Sequence, residues 1–227
     1  MLAFGISMHM TFDTFLHILA DAGYPLDEDR AALLRDYGDM LREWNARVNL
    51  ISRKDEEQLW MHHILHSMAP LLMGMLDPRA RYVDIGTGGG LPGIPLAIAM
   101  PDSSFVLVDS IGKKLRAVED MRQRLRLDNV TCVTGRVEEQ GPLQRSADIV
   151  LARAVTQLAS LVRWSYPLLR EGGARRLLCW KGGDINAEIA EARKHARVQD
   201  VEVHPMVVPG VSWFHEEEKK LIEVHFS

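Results

Sequence analysis

The sequence predicts an α/β fold, a doubly wound and mostly parallel sheet with a helical extension in front of it. Three observations predict it. From Arg81 onward, short apolar runs alternate with helical patterns, as expected for parallel strands joined by crossover helices. The segment Val83-Asp84-Ile85-Gly86-Thr87-Gly88-Gly89-Gly90-Leu91-Pro92-Gly93 links an apolar strand to a helix start through four glycines in five residues. Between about Thr11 and Met75 the apolar spacing is helical only. The organisation expected is a helical extension over residues 1–78 and an α/β unit over residues 79–227.

Each element has a local reason. Leu33, Leu34, Tyr37, Met40, Leu41 and Trp44 recur at helical spacing and form one apolar face. A second helix is predicted from Glu56 to Met68. The strands fall near 81–85, 104–109, 130–134, 147–152 and 176–180, and the helices near 92–100, 111–126, 156–170 and 184–194. Pro92 and Pro95 suit a first helical turn, where backbone N–H groups lack partners anyway. Gly172-Gly173 is a helix stop before the fifth strand. Two further apolar runs, Val201 to Val208 and Leu221 to Phe226, are expected to pair as an antiparallel hairpin at the sheet edge. The Trp and Met residues read as core rather than as base-stacking platforms.

Composition limits the function classes. The chain has 227 residues, enough for one α/β domain of ordinary size and an appendage. Its net charge is −4, which argues against a generic polyanion binder. Cys132 and Cys179 each sit in a strand-like apolar run and read as buried free thiols of a reducing compartment. The N-terminus lacks a basic, signal-type pattern, and the longest apolar stretches are too short to span a bilayer. A cytoplasmic protein with no membrane contact is expected.

The glycine segment is where a nucleotide-type ligand would bind, at the carboxyl edge of a parallel sheet. Gly88-x-Gly90-x-x-Gly93 satisfies the dinucleotide fingerprint, weakly in so glycine-dense a stretch. Asp84 argues the other way, because a carboxylate there repels a pyrophosphate. S-adenosylmethionine has an ammonium and a sulfonium and no phosphate, so the acid favours it. Phe105-Val106-Leu107-Val108-Asp109 reads as a buried strand ending on an acid that can accept from both ribose hydroxyls. Asp109 therefore indicates adenosine without choosing between the two cofactors.

The chain resembles the bacterial small-subunit ribosomal RNA methyltransferase G family (RsmG, also GidB). The resemblance rests on Trp44-Asn45 with Asn49-Leu50 and Ser52, and on His63-Ile64-Leu65 with Ser67. It continues through the glycine loop with its Leu91-Pro92-Gly93-Ile94-Pro95 extension, then Asp109-Ser110, Gly112-Lys113-Lys114 and Arg116. Arg136-Val137-Glu138-Glu139, Arg153-Ala154 and Lys181-Gly182 complete it. It implies a Rossmann-like, S-adenosylmethionine-dependent methyltransferase with a seven-stranded, mostly parallel sheet and an N-terminal helical extension. The implied product is 7-methylguanosine in the decoding-region loop of 16S rRNA, made on the small ribosomal subunit by a monomer, with loss linked to streptomycin response. The implied cofactor contacts are Gly86, Leu91, Val137, Glu138 and Arg153, beside Asp84, Gly88, Gly90 and Asp109.

Three departures stand out. His62 and His66 replace an Arg and an Asp common in the family, Gly89 replaces a proline, which should loosen the loop, and Val224-His225-Phe226-Ser227 replaces a basic C-terminus.

The acceptor can also be argued from the residues. Leu151-Ala152-Arg153-Ala154 follows the fourth strand where amino-group methyltransferases often carry an Asn/Asp-Pro-Pro-aromatic motif, and no Pro-Cys pair offers a cytosine nucleophile. An acceptor with a free lone pair, such as guanine N7, fits. Arg153 is expected to position the cofactor or the base, and Lys181 to orient the guanine or its phosphate, with no dedicated general base. His62, His63 and His66 are expected to hold no metal. Lys113, Lys114, Arg116, Arg122, Arg124 and Arg126 form either a solvated face or a phosphate track, which Arg175-Arg176 and Arg193-Lys194 could extend. Two readings stay open beside this one: methyl transfer to a small molecule or protein, and a non-enzymatic module that binds an adenosine ligand.

Overall fold

The computed structural model describes residues 9–227. Among the described residues two helices come first. In α1 (Phe12–Asp21), Thr11 accepts from the Thr14 N–H at 3.1 Å. In α2 (Glu28–Asn45), Asp27 caps the Arg30 N–H at 2.8 Å, with Glu28 and Asp29 in the first turn. Both caps satisfy orphan donors, and the acids of α2 suit the helix dipole. The face predicted for α2 is the buried one: Leu34, Tyr37, Met40 and Leu41 are buried, and Leu33 and Trp44 pack against the same core.

The second helix differs from the prediction. Arg53–Gln58 is a 3₁₀ turn, Leu59–Leu65 a π-helix, and α3 (His66–Leu72) an α-helix containing Pro70. Pro70 has no N–H, so the His66 carbonyl four residues back lacks its usual donor. The Trp180 indole donates to that carbonyl at 2.8 Å. The helix is thus finished by a residue of the sheet, which local periodicity cannot register.

Seven strands follow, β1 (Arg81–Ile85), β2 (Ser104–Asp109), β3 (Val130–Thr134), β4 (Ile149–Arg153), β5 (Arg176–Gly182), β6 (Val198–Pro205) and β7 (Lys219–Phe226). They form one sheet in the order β3-β2-β1-β4-β5-β7-β6. The first five are parallel, and β7 is antiparallel to both β5 and β6. The terminal hairpin is therefore where the sequence put it, with β7 inside and β6 at the edge. The crossovers are α4 (Gly93–Ala99), α5 (Gly112–Arg124), α6 (Leu158–Ser165) and α7 (Asn186–Ala192), and α8 (Trp213–Glu216) precedes β7.

The sheet is covered on both faces. Leu107, Leu151, Leu178 and Leu221 face the helical extension, α4 and α5. Val83, Val150, Leu177 and Val224 face α6 and α7. The continuous apolar runs of β2 (Phe105 to Val108) and β4 (Ile149 to Ala152) follow from that double burial. Cys179 is buried in β5, but Cys132 is only half-buried, a correction to the expected burial. Its strand β3 is the sheet edge, so one flank lacks a neighbour. Both thiols are free, and burial pushes each up to about 12. Among the described residues, no helix is long and apolar enough to cross a membrane.

Candidate functional site

Strand order reverses at β1, which has β2 on one side and β4 on the other. Such a switch point opens a crevice beyond the carboxyl ends of the strands. The glycine loop leaves β1 at that place. Gly86, Gly88 and Gly90 have φ of 68°, 59° and 92°, a left-handed backbone that glycine adopts without strain. At Gly86 a Cβ would lie 2.8 Å from Val155 Cγ2, so its absence also lets the chain beyond β4 approach the loop. At Gly93 a Cβ would overlap Leu107 Cδ2, so α4 sits flush on β2 only because residue 93 has no side chain.

Asp84 is fully buried beneath the loop. Its Oδ2 accepts from the Thr87 hydroxyl at 2.7 Å and from the Gly93 N–H at 3.1 Å. Its Oδ1 is buried with no hydrogen-bond partner. Burial raises its pKa to about 7, against the pull of Thr87, Gly93 and Arg153. The unsatisfied oxygen is free to accept from a cationic donor. Asp109 ends β2 and ties the loop down: Oδ2 accepts from the Gly88 N–H at 2.9 Å and Oδ1 from the Ile111 N–H at 2.8 Å. Each oxygen keeps a lone pair for a hydroxyl. Leu91 is buried in the loop. Val137 is buried after β3, and exposed Glu138 follows it in the same short 3₁₀ turn (Val137–Glu139), near Arg136. These residues come from the ends of β1, β2 and β3, the places expected for one adenosine-bearing ligand.

Arg153 and Lys181 stand differently from the expectation. Arg153 ends β4, and its guanidinium turns into the helical extension. It donates to the His63 carbonyl (2.8 Å), the Ser67 hydroxyl (2.7 Å) and the His62 carbonyl (3.1 Å), and lies 3.0 Å from His63 Nδ1. Burial lowers its pKa to about 10. The His63 and Ser67 motif and the Arg153 motif are therefore two halves of one clamp. Lys181, near the end of β5, donates to Glu188 Oε2 at 2.7 Å and to the Thr156 carbonyl at 2.9 Å. Glu188 Oε2 also accepts from the Leu158 N–H at 2.8 Å, at the start of α6. On this geometry Lys181 holds the segment after β4.

Several interactions escape a reading of the sequence. The Tyr37 hydroxyl donates to the Gly89 carbonyl at 2.9 Å, so α2 grips the glycine loop directly. A Cβ on Gly89 would lie 2.8 Å from Leu41 Cδ1 and 3.2 Å from Leu50 Cβ, so the loop packs closely on α2 and the segment after it. Trp44 Nε1 donates to Asp120 of α5 at 2.8 Å. The apolar spacing placed Tyr37 and Trp44 on the buried face but says nothing about their polar atoms. The Arg-to-His and Asp-to-His departures gain an aromatic role: His62 stacks on Trp213 with 4.5 Å between centroids, and His66 meets Trp213 and Phe214 edge-on. Burial lowers the pKa of His63 to about 3 and that of His66 well below its usual value.

The basic stretch is not a continuous phosphate track. Arg122 pairs with Glu119, and Arg124 pairs with Glu43 and Asp120. Arg176 pairs with Glu223, Arg193 with Asp200 and Lys194 with Glu191. Short helical spacing to acids, together with acids from α2, consumes these charges. Among the described residues Lys113, Lys114, Arg116, Arg126 and Arg175 make no such pair; Arg175 lies over the Tyr166 ring, and the first three stand together at the start of α5, which follows Asp109 in the chain.

A family model described as rRNA small subunit methyltransferase G matches residues 30–217. A protein of Chlorobium luteolum named ribosomal RNA small subunit methyltransferase G is 42% identical over 210 residues, covering 90% of this chain and 86% of its own. One of the same name from Salmonella agona is 41% identical over 187 residues, covering 82% and 86%. Solved structures share the fold at low identity. The pyocyanin biosynthetic protein PhzM aligns with TM-score 0.57 at 16% identity, over 78% of this chain and 60% of that one. TYW2 of M. jannaschii in complex with AdoMet aligns with TM-score 0.53 at 16% identity, over 78% and 77%.

Proposed function

The chain belongs to the rRNA small subunit methyltransferase G family and is an S-adenosylmethionine-dependent methyltransferase; from that premise we propose that it methylates guanine N7 in the decoding-region loop of 16S rRNA. The observation that carries the reading is Asp84, buried at the switch point with Oδ1 unpartnered beside a left-handed backbone that glycine adopts without strain. S-adenosylmethionine, when bound, supplies an electrophilic methyl group on a sulfonium.

The chain's residues bind and orient. Asp84 takes the ammonium group, and Asp109 the ribose diol, while Gly86, Gly88, Gly90 and Leu91 present backbone to the ligand. Val137 packs against the adenine, and Glu138 lies at its amino edge. Arg153 acts on this site by fixing the helical extension against the end of β4, and Lys181 by fixing the segment after β4. Both are positioning residues in this reading. Guanine N7 carries an in-plane lone pair and loses no proton when methylated. Alignment and exclusion of water then supply the acceleration, and no general base is needed. Residues 79–227 form the catalytic unit and the described part of the extension, residues 9–78, its brace, the first eight residues lying outside the described ones; the chain works as a monomer on the small ribosomal subunit in the cytoplasm.

The test is transfer of a labelled methyl group to small subunits from cells lacking this protein, mapped by cleavage at 7-methylguanosine. One labelled guanine in the decoding-region loop is expected. Protein that binds S-adenosylhomocysteine but labels neither subunits nor free rRNA would move the acceptor to a small molecule or a protein.

A further inference from the structure

Far from the glycine loop, the terminal hairpin gathers two histidines and two glutamates. Glu202 and His204 alternate along β6, and Glu223 and His225 along β7. Alternation puts each pair on one face of its strand, and the register sets Glu202 opposite Glu223. His204 Nε2 lies 3.1 Å from Glu223 Oε2 and 3.6 Å from a Glu202 oxygen. His225 Nε2 lies 3.3 Å from the other Glu202 oxygen and 3.6 Å from Glu223 Oε1. Glu202, His204 and Glu223 each offer a ligand atom within 4.8 Å of the others. His225 Nε2 is buried without a hydrogen-bond partner.

We infer that this cluster is a structural site for a divalent transition metal of the zinc type. Zinc takes imidazole nitrogen and carboxylate oxygen at about 2.0–2.1 Å in a tetrahedron, which puts neighbouring ligand atoms roughly 3.3 Å apart. The separations of His204 Nε2 from Glu223 Oε2 and Glu202 Oε2, 3.1 and 3.6 Å, bracket that value. Two imidazoles with two carboxylates suit zinc or cobalt better than the all-oxygen shell of calcium or magnesium. An outer support is present as well. Arg176 donates to Glu223 Oε1 at 2.7 Å, leaving Oε2 turned toward His204. Ligating carboxylates are commonly held in this way by their second oxygen. Glu202, His204 and Glu223 are the three ligands already gathered, and His225, which faces the other oxygens of both carboxylates, completes the four by reorienting its ring.

The site would staple the edge strand β6 to β7, where backbone pairing is broken by the register shift between Val198 and Asp200. It pairs the end of β7 with the start of β5, since His225 lies opposite Arg176. That is the sheet edge away from the glycine loop, so the metal has no part in methyl transfer.

The experiment uses untagged full-length protein, stripped with chelator and titrated with Zn²⁺ and, separately, Co²⁺. One equivalent is expected to bind, Co²⁺ giving the visible absorption of a tetrahedral site, and Tm is expected to rise on loading. Glu202→Gln, an exposed and nearly isosteric change, is expected to weaken binding at least 10-fold while the metal-free protein keeps its far-ultraviolet spectrum. His204→Ala with His225→Ala is expected to abolish it. No stoichiometric binding to the wild-type protein would overturn the proposal, as would binding that survives both variants. In either case the cluster is a set of close histidine–glutamate contacts that holds no metal.

Discussion

At the scale of the residue, Asp84 sets stability against ligand binding. Its pKa is raised from the usual 3.8 to about 7, chiefly by burial. The folded protein therefore holds a proton there more tightly than the unfolded chain does. The resulting stability is fully present below about pH 4 and is lost as pH rises through about 7. Above that, the ligand-free fold carries an ionised carboxylate with one oxygen unpartnered. Asp84→Asn removes that ionisation. Melting curves from pH 5 to 9 are expected to show the variant gaining on the wild type as pH rises, and overtaking it on the alkaline side. The same change removes the partner of the ligand's ammonium. A hydrogen bond to a charged group contributes about 1.5–3 kcal/mol, so calorimetry with S-adenosylhomocysteine is expected to show roughly 10- to 100-fold weaker binding. Unchanged affinity would place the ammonium elsewhere, and lower affinity together with lower alkaline stability would trace the loss to a damaged loop.

At the scale of the element, the π-helix and α3 are held by the sheet rather than by their own propensity. Pro70 removes one internal bond, Trp180 replaces it, and Arg153 supplies donors to residues 62, 63 and 67. Arg153→Met leaves those acceptors without a donor in a partly buried place. A loss of about 3 kcal/mol is expected, or roughly 6–12 °C in Tm for a chain of this size. Hydrogen exchange should rise first over residues 59–72, and Arg153→Lys should recover only part of the protection, because an ammonium cannot span four acceptors in a planar fork. Unchanged exchange in that segment would mean that the clamp is redundant. The same clamp separates what is legible in the sequence from what is not. The strands, the crossovers and the acids Asp84 and Asp109 could be read because each is written in neighbouring residues: an apolar run, a turn, a terminal acid. The partners of Arg153 lie about ninety positions away. Their meeting depends on how the extension packs over β4, and residue type alone cannot distinguish a guanidinium that faces a ligand from one that faces a helix. The hairpin cluster was hidden in the same way, because Glu202 and Glu223 become neighbours only through the β6–β7 register.

At the scale of the molecule, a chain of net charge −4 must approach an RNA surface through a local positive region. Most arginines that the sequence offered are paired with acids. Of the cations left without an acidic partner among the described residues, Lys113, Lys114 and Arg116 stand together where helix energetics disfavours them. The first turn of α5 contains no acid and two lysines, against the positive end of the helix dipole. Each such charge costs about 0.3–1 kcal/mol. Their position beside Asp109, at the mouth of the switch-point crevice, gives that cost a function: a phosphate approaching the ligand would meet them first. Lys113→Gln with Lys114→Gln is therefore expected to move two measurements in opposite directions. Tm should rise by about 2 °C as the dipole is relieved. The KM for small subunits should rise several-fold, while affinity for S-adenosylhomocysteine stays as it was. The slope of log affinity for subunits against log salt should become shallower by roughly 1–2, since each phosphate that a lysine no longer neutralises lowers it by about 0.7–0.9. A higher Tm with an unchanged KM and salt slope would make these lysines a solvated helix end, and the docking surface would have to be sought on another face.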